Sequence, residues 1–536
     1  MEDDPLLDRR KETKRKQIQR NGTSSGETSL DEIDHIDVMA IHKPKNDFTA
    51  RLALSIAACT LGSSFQYGYN TGVVNAPEKV LKGFYNTTYQ ERHNESLNCG
   101  DSASNCTTLT ILWATTVSIY CIGGMMGGVS AGYWANRFGR KRTLLLNNII
   151  MVIALAVEIL SKNLKSYEVL IIGRFIAGIN AGINTGVAPM YLSEISTVSL
   201  RGLCGTFNQL CITFGVFTST VMGLNHVLGT DSHWQYALGF PALMVVWQLC
   251  TLSFCPESPR FLLIQRNSEE EAERALVWLR GTHDVSDEIE EMIAEREHAK
   301  HIKKFTVCDL FHTEELRTPL VICLAMHLSQ QLAGINAVIY YSTSIFETAG
   351  LSESYSQYAT LGTGAVNVCM TFVSALIMDK VGRRSLHLLG LGGMFIASYI
   401  LTLGLIYDQY DSGHSWVGVI CVLAVVFYII FFASGPGAIP WFFTAELFAQ
   451  GPRPAAVSIG VLVNWSANFC VGLFYPFLQE AIKAYSFIPF VVFLAIFWVY
   501  TLFRVPETKG KTIEEITAQF QTSVRYSPVP VTDEND

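Results

Sequence analysis

A helix needs about 20 consecutive apolar residues to cross the ~30 Å hydrocarbon core of a bilayer, and this sequence supplies such runs repeatedly. We count twelve: at about 50–72, 108–132, 143–161, 168–190, 202–225, 235–255, 317–346, 356–378, 385–407, 415–443, 455–478 and 485–505. Charge is pushed out of them, into the first 50 residues, the stretch 256–316 and the last 30. Only 16% of the 536 residues are charged, where a soluble protein carries about a quarter. The net charge of −8 arises in the polar segments and says little about partners. This is a polytopic membrane chain.

Orientation follows from the loops. One alternate set carries Arg137, Arg140, Lys141, Arg142, Arg201, Lys380, Arg383, Arg384 and Arg453, while the short loops of the other set carry Lys162, Lys165 and Lys483. Positive charge stays cytoplasmic, so both termini and the 256–316 segment are expected inside. The first outside loop, about 73–107, holds three N-glycosylation acceptor patterns, at Asn86, Asn94 and Asn105. Of 13 cysteines, Cys99 and Cys106 fall on the expected outside, where a disulfide between them is chemically permitted.

The chain is written twice. The turn around Arg137, Gly139, Arg140 and Lys141 returns at Asp379, Gly382, Arg383 and Arg384; Glu194 and Arg201 return as Glu446 and Arg453; Pro256-Glu257-Ser258 returns as Pro506-Glu507-Thr508. The offsets are 243 (382 − 139), 252 (446 − 194) and 250 (507 − 257). Two six-span halves of one orientation form a parallel repeat, the plan of many secondary transporters. The charges of these motifs, with Arg260, sit at the expected cytoplasmic mouth. There they can bridge the halves while the site opens outward and separate when it opens inward.

These motifs carry a resemblance. PESPR at 256–260, PETKG at 506–510, GRFIAG at 173–178, the RFGRK and VGRRS turns and QQLAGIN are similar to the sugar porter branch of the major facilitator superfamily. FQYGYNTGVVNAP, GPGAIPWFFTAELFAQGPRPAA and VPETKGKT resemble the animal facilitative glucose transporters in detail. The resemblance implies an all-α membrane protein, twelve transmembrane helices in two six-helix bundles with a small cytoplasmic helical domain. The corresponding division is a cytoplasmic N-terminus 1–49, read as disordered; bundles 50–255 and 317–505; a helical linker 256–316; and a tail 506–536. The linker suits such a domain, since SEEEAERALVWLRG offers a Ser268 cap and an acidic first turn.

The stretch HLSQQLAGINAVIYY, 327–341, places amides where a membrane helix is expected. A hexose is neutral and edged with hydroxyls, and Gln or Asn can pair with them without burying a charge. At about 100° per residue, Gln330, Gln331 and Asn336 cannot share one pocket on a straight helix. A bend or break near Gly334–Ile335 is therefore expected, and Gly435-Pro436-Gly437 predicts another in the tenth span. By resemblance the sugar contacts fall on Gln209, Gln330, Gln331, Asn336, Asn367 and Trp441, with Asn464 and Trp465 close by. Asn70, His327, Tyr340, Tyr341 and Ala433 are candidates for selectivity or an outer lid, the tyrosines together with Phe65 and Tyr69. Ala433 stands where similar carriers have a glutamate, and His327 where glucose-selective ones have a glutamine, so both bear on hexose choice.

Proton-coupled members have an aspartate in the first span; here that position is Asn70, which cannot titrate, and passive uniport is expected. A proton-coupled sugar symporter and a non-transporting sugar sensor are the alternatives. The sequence lacks a phosphate-binding glycine loop, a metal-ligand cluster and a nucleophile elbow, so neither an enzyme nor a cofactor is expected. The expected partners are a hexose and the lipid bilayer, with no nucleic acid. Leu6 and Leu7 after an acidic start resemble a sorting signal for adaptors, compatible with an endosomal pool beside the plasma membrane. The basic cluster Arg9 to Arg20 suits anionic lipid.

Overall fold

The computed structural model describes residues 48–97, 103–301, 305–411, 415–511, 515, 516, 518 and 520. Leu6, Leu7, the basic cluster and Cys99 lie outside the described residues, as do the side chains of Asn105, Cys106 and Asp379. The sorting signal and the disulfide therefore stand as sequence expectations.

Every regular element among the described residues is helical. The first span is α1 (Ala50–Cys59), which runs through a π turn, Thr60–Ser64, into α2 (Phe65–Gly72). Helix α3 (Glu78–His93) caps one end of the molecule. Then come α4 (Ala103–Phe138), α5 (Arg140–Asn163), α6 (Tyr167–Ile195) and α7 (Arg201–Met222). The sixth span is α8 (Trp234–Gly239) and α9 (Ala242–Leu252). A connector holds α10 (Glu269–Arg280), α11 (Ser286–His301) and α12 (Val307–His312). The last six spans are α13 (Glu314–Leu332) with α14 (Ile335–Thr348), α15 (Glu353–Val381), α16 (Arg383–Tyr410), α17 (Ser415–Ser434) with α18 (Ile439–Leu447), α19 (Arg453–Ile482) and α20 (Ile488–Arg504).

Nine helical segments among the described residues are long and apolar enough to cross a membrane. The other three of the twelve expected spans have a physical reason to fall short. Helices α1–α2 and α7 carry Gln66, Asn70, Asn208 and Gln209 toward the protein interior, and α20 is only 17 residues long.

Small residues allow close helix crossings. A Cβ on Gly178 would strike the Tyr120 carbonyl, so α4 and α6 approach backbone to backbone. Contacts between the halves run α4 to α19, α7 to α15 and α2 to α14.

The repeat is also present in the hydrogen bonding. Gly139 and Gly382 open α5 and α16 with φ of 97° and 103°, a region that favours glycine. Glu257 accepts from the backbone N–H groups of Arg140 at 2.8 Å and Lys141 at 2.9 Å, while Glu507 accepts from Arg383 at 2.9 Å. Each carboxylate thus meets the positive end of a helix dipole. Beside them Glu194 binds Arg140 at 2.8 Å and the Ser258 hydroxyl, and Glu446 binds Arg383 at 3.1 Å and the Thr508 hydroxyl at 2.5 Å.

The connector is anchored to the first half. The Thr49 hydroxyl donates to Leu279 O at 2.5 Å and Arg280 donates to Ile195 O at 2.9 Å, while Arg260 pairs with Glu295 at 2.8 Å within the connector. Helix α10 starts on three glutamates as expected, but the Ser268 side chain makes no capping bond. The helix is instead fixed at its other end, where Gly281 takes φ 68° and closes the last turn. Thr306 and Asp309 form a capping box on α12, a signal the sequence reading passed over.

Candidate functional site

Helix α13 stops at Leu332, Gly334 turns left-handed at φ 99°, and α14 begins at Ile335. The break lies where the helix arithmetic requires it. With it, Asn336 donates to the Gln331 carbonyl oxygen, and Gln331 donates to Asn464 Oδ1 at 2.9 Å. Asn464 in turn donates to Gln330 Oε1 at 2.7 Å. The second expected break separates α17 from α18, and it leaves carbonyls without helical partners. Gln330 Nε2 donates to two of them, Pro436 O at 2.8 Å and Gly437 O at 2.7 Å.

These groups face a cavity of about 190 Å³ between the halves. Gln209, Gln330, Gln331, Asn336, Asn367, Trp441 and Asn464 all line it. Asn367 Oδ1 is buried without a hydrogen-bond partner. The sequence reading missed Asn184, Asn208 and Asn468, which also reach the wall, and the apolar side chains of Ile212, Phe432 and Phe442. The three amides carried no local signal, since a single Asn in a span is equally suited to joining helices. Asn208 does both, accepting from the Ser64 hydroxyl at 2.6 Å.

Other expected site residues stand elsewhere. Trp465 is packed edge-on to Tyr67 and Tyr120 against Gly124, at the contact of α4 with α19, and it does not line the cavity. Tyr340 donates to Asn468 at 3.0 Å, and Tyr341 donates to Gly472 O at 2.9 Å while stacking on Tyr475. Both rings are buried between helices. Phe65 and Tyr69 stack on each other in the same core cluster. Asn70 turns away from the cavity and donates to Gln66 O at 2.9 Å. His327 sits one layer behind the amides. Its nitrogens meet Asn464 and Thr444, each at 3.2 Å, and its ring lies edge-on to Trp441 at 5.1 Å.

A second chamber of about 350 Å³ continues from the first, sharing Gln209, Asn367, Phe432 and Phe442. It runs past Ala433 toward Ser199, Arg383 and Glu446, at the end of the molecule that bears the connector. The opposite end is shut. Asn75 donates to Ile339 O at 2.6 Å and Ser342 Oγ at 2.8 Å, and Lys79 pairs with Glu347 at 2.8 Å and Glu353 at 3.2 Å. Asn225 joins Glu353 at 2.7 Å.

At the open end the motif charges pair within each half. Glu194 holds Arg140 and Glu446 holds Arg383, whereas Arg453 donates to Phe448 O at 3.0 Å and Arg384 to Leu502 O at 2.7 Å. Arg137 is exposed, and Arg201 forms no salt bridge among the described residues. Among the described residues, no ion pair of these charges bridges the halves. Of the acceptor asparagines, Asn86 lies within α3 and accepts from Leu97 N at 2.6 Å, and Asn94 is exposed at the left-handed end of that helix.

An amide-walled chamber between two like bundles, shut at one end and open at the other, defines a membrane carrier for a small polar solute. The chain belongs to the sugar (and other) transporter family, whose model matches residues 55–520. It is 45% identical over 491 residues to solute carrier family 2, facilitated glucose transporter member 3 of Ovis aries, covering 91% of this chain and 97% of that one. It is 45% identical over 474 residues to member 1 of Gallus gallus, covering 88% and 94%. Among solved structures, the xylose transporter XylE from E. coli in a partially occluded inward-open conformation superposes with a TM-score of 0.71. That match has 26% identity and covers 87% of this chain and 100% of XylE. The inward-open form gives 0.70 at 25% identity, covering 87% and 99%.

Proposed function

We propose that this chain carries D-glucose and other hexoses passively across the plasma membrane by alternating access, with both termini cytoplasmic and the loop 73–107 outside and glycosylated. Gln209, Gln330, Gln331, Asn336, Asn367 and Asn464 bond the sugar hydroxyls, and Trp441 covers a ring face. The observation that carries this reading is the amide chain Asn336–Gln331–Asn464–Gln330, assembled at two helix breaks and facing a chamber open to one side only. Each amide exchanges a bond to its neighbour for one to a hydroxyl, so binding is weak and reversible. At about 0.5–1.5 kcal/mol net per bond, several bonds give affinities near the millimolar range, about −4 kcal/mol.

In the carrier cycle, the bonds of Asn75 and Lys79 open at the outer end while the halves close at the inner one. Arg140, Arg383, Glu194, Glu446 and their neighbours then come together across the mouth. Ala433 leaves room beside the sugar, and His327 sets the position of Asn464 behind it, so both widen or narrow the choice of hexose. Sorting adaptors engage Leu6 and Leu7.

The test is uptake of labelled glucose, galactose and fructose by proteoliposomes, with and without a pH gradient. Saturable glucose uptake indifferent to the gradient is the expected result. Uptake driven by the gradient would replace uniport with symport, and no uptake of any hexose would remove the carrier reading.

A further inference from the structure

Glu158 on α5 is fully buried, and neither carboxylate oxygen has a hydrogen-bond partner. Its neighbour on α6 is Gly173, where a Cβ would come within 2.5 Å of the Glu158 side chain, so the acid is wedged against that helix. One residue on, Arg174 is fully buried too, and its Nε and Nη1 are unpartnered. Arg174 directly follows the glycine that packs on Glu158, yet its Nε and Nη1 and both Glu158 oxygens form no hydrogen bond. The remaining arm of Arg174, Nη2, donates at 2.8 Å to Asn70 O. That carbonyl belongs to the last turn of α2, where carbonyls lack helical partners and a cation is favoured. Just beyond lies Asn75, which ties α2 to α14 across the shut end.

We propose that Glu158 binds and releases a proton, and that its charge regulates the carrier by competing with the Asn70 carbonyl for Arg174. The inference rests on the carrier reading above. Ionised, Glu158 draws Arg174 toward itself and loosens its hold on the end of α2. Protonated, it releases the guanidinium to Asn70 O, which steadies the segment that holds Asn75 against α14. Protonation of Glu158 and the position of Arg174 are thereby coupled.

The groups around the pair are accounted for. Tyr69 on α2 donates to Ala237 O at 2.7 Å. Tyr120 on α4 lies under the Arg174 guanidinium at 4.6 Å, with Cys121 beside it and Tyr85 of α3 within its field. Tyr236 on α8 and Cys250 on α9 are exposed. Lys162, one turn along α5, is bound to Asp231 O at 2.8 Å, Ser232 O at 2.6 Å and Gln235 at 2.9 Å. Arg174 is the one cation facing Glu158 among the described residues of these helices.

The experiment is glucose exchange by the full chain in proteoliposomes, with pH equal on both faces and varied from acid to alkaline. The wild type is expected to slow several-fold toward acid through a single titration step. Glu158→Gln should be slow and flat, matching the acid plateau, and Glu158→Asp should keep the step at a displaced midpoint. A wild-type rate that ignores pH, or a Glu158→Gln profile equal to wild type, overturns the proposal and leaves carriage standing. If Glu158→Gln fails to fold, the midpoint of Glu158→Asp decides, and an unmoved midpoint overturns it. Absence of exchange at every pH would instead remove the carrier reading itself.

Discussion

Gln330 Nε2 donates at 2.7 Å to the carbonyl of Gly437, a residue 107 positions further along the chain. One helix break thus satisfies the backbone exposed by another. The side chain that does so is also the acceptor of Asn464, so the backbone break and the cavity-facing amides form one connected network.

Replacing Gln331 tests that network. Gln331→Ala removes a proposed sugar contact and leaves Asn336 and Asn464 short of partners. At about 0.5–1.5 kcal/mol per bond, losing both sets should weaken glucose binding roughly tenfold or more and nearly abolish uptake, while the protein still folds. Ligand-induced fluorescence change and uptake on the same preparation measure both; uptake at the wild-type level would remove Gln331 from the site.

Gly334→Ala should act through the backbone. A side-chain-bearing residue in the left-handed region costs about 1–2 kcal/mol, and the new Cβ would sit 2.7 Å from the Phe490 ring. A lower melting temperature in detergent and weakened glucose binding are expected. Unchanged values for both would mean that the break does not need glycine.

The shut end should be more sensitive to Asn75 than to Lys79. Asn75 is buried and makes both its donor bonds across the halves, whereas the Lys79 pairs are half-exposed, and such pairs contribute about 0–1 kcal/mol. Asn75→Ala should shift the population toward opening at that end, read as increased labelling of an engineered cysteine in the closed region, and Lys79→Ala should do so less. Burial works against the Lys79 charge, but Glu347 and then Glu353 outweigh it and hold the amine above the ordinary lysine range. The contribution of that pair is therefore present at neutral pH and lost only as pH rises through the raised value.

Glu194→Gln and Glu446→Gln should have matching effects, because each acid joins one arginine and one hydroxyl in its own half. Each neutralisation frees Arg140 or Arg383 and should change the ratio of inward- to outward-facing carriers. Binding of a ligand specific for the outward form measures that ratio, and identical binding by both variants and wild type would refute a gating role for the motifs.

The spans, the duplication and the two helix breaks were legible in the chain alone. Each is written in local terms: apolar length, a repeated Gly-Arg turn, and three amides that a straight helix cannot aim together. It also marked the polar candidates in QQLAGIN, because amides that close together are poorly suited to lipid. Only the tertiary structure decided which isolated polar and aromatic residues meet the cavity. Asn468 and Asn208 line it, while Trp465, Tyr340, Tyr341 and Asn70 turn elsewhere. The rotation of a helix about its own axis is set by how its neighbours pack, as with Trp465 filling the space left by Gly124. The nearness of Glu158 to Arg174 was hidden for the same reason: the two residues come from different helices, and only the packing of α5 on α6 at Gly173 brings them together.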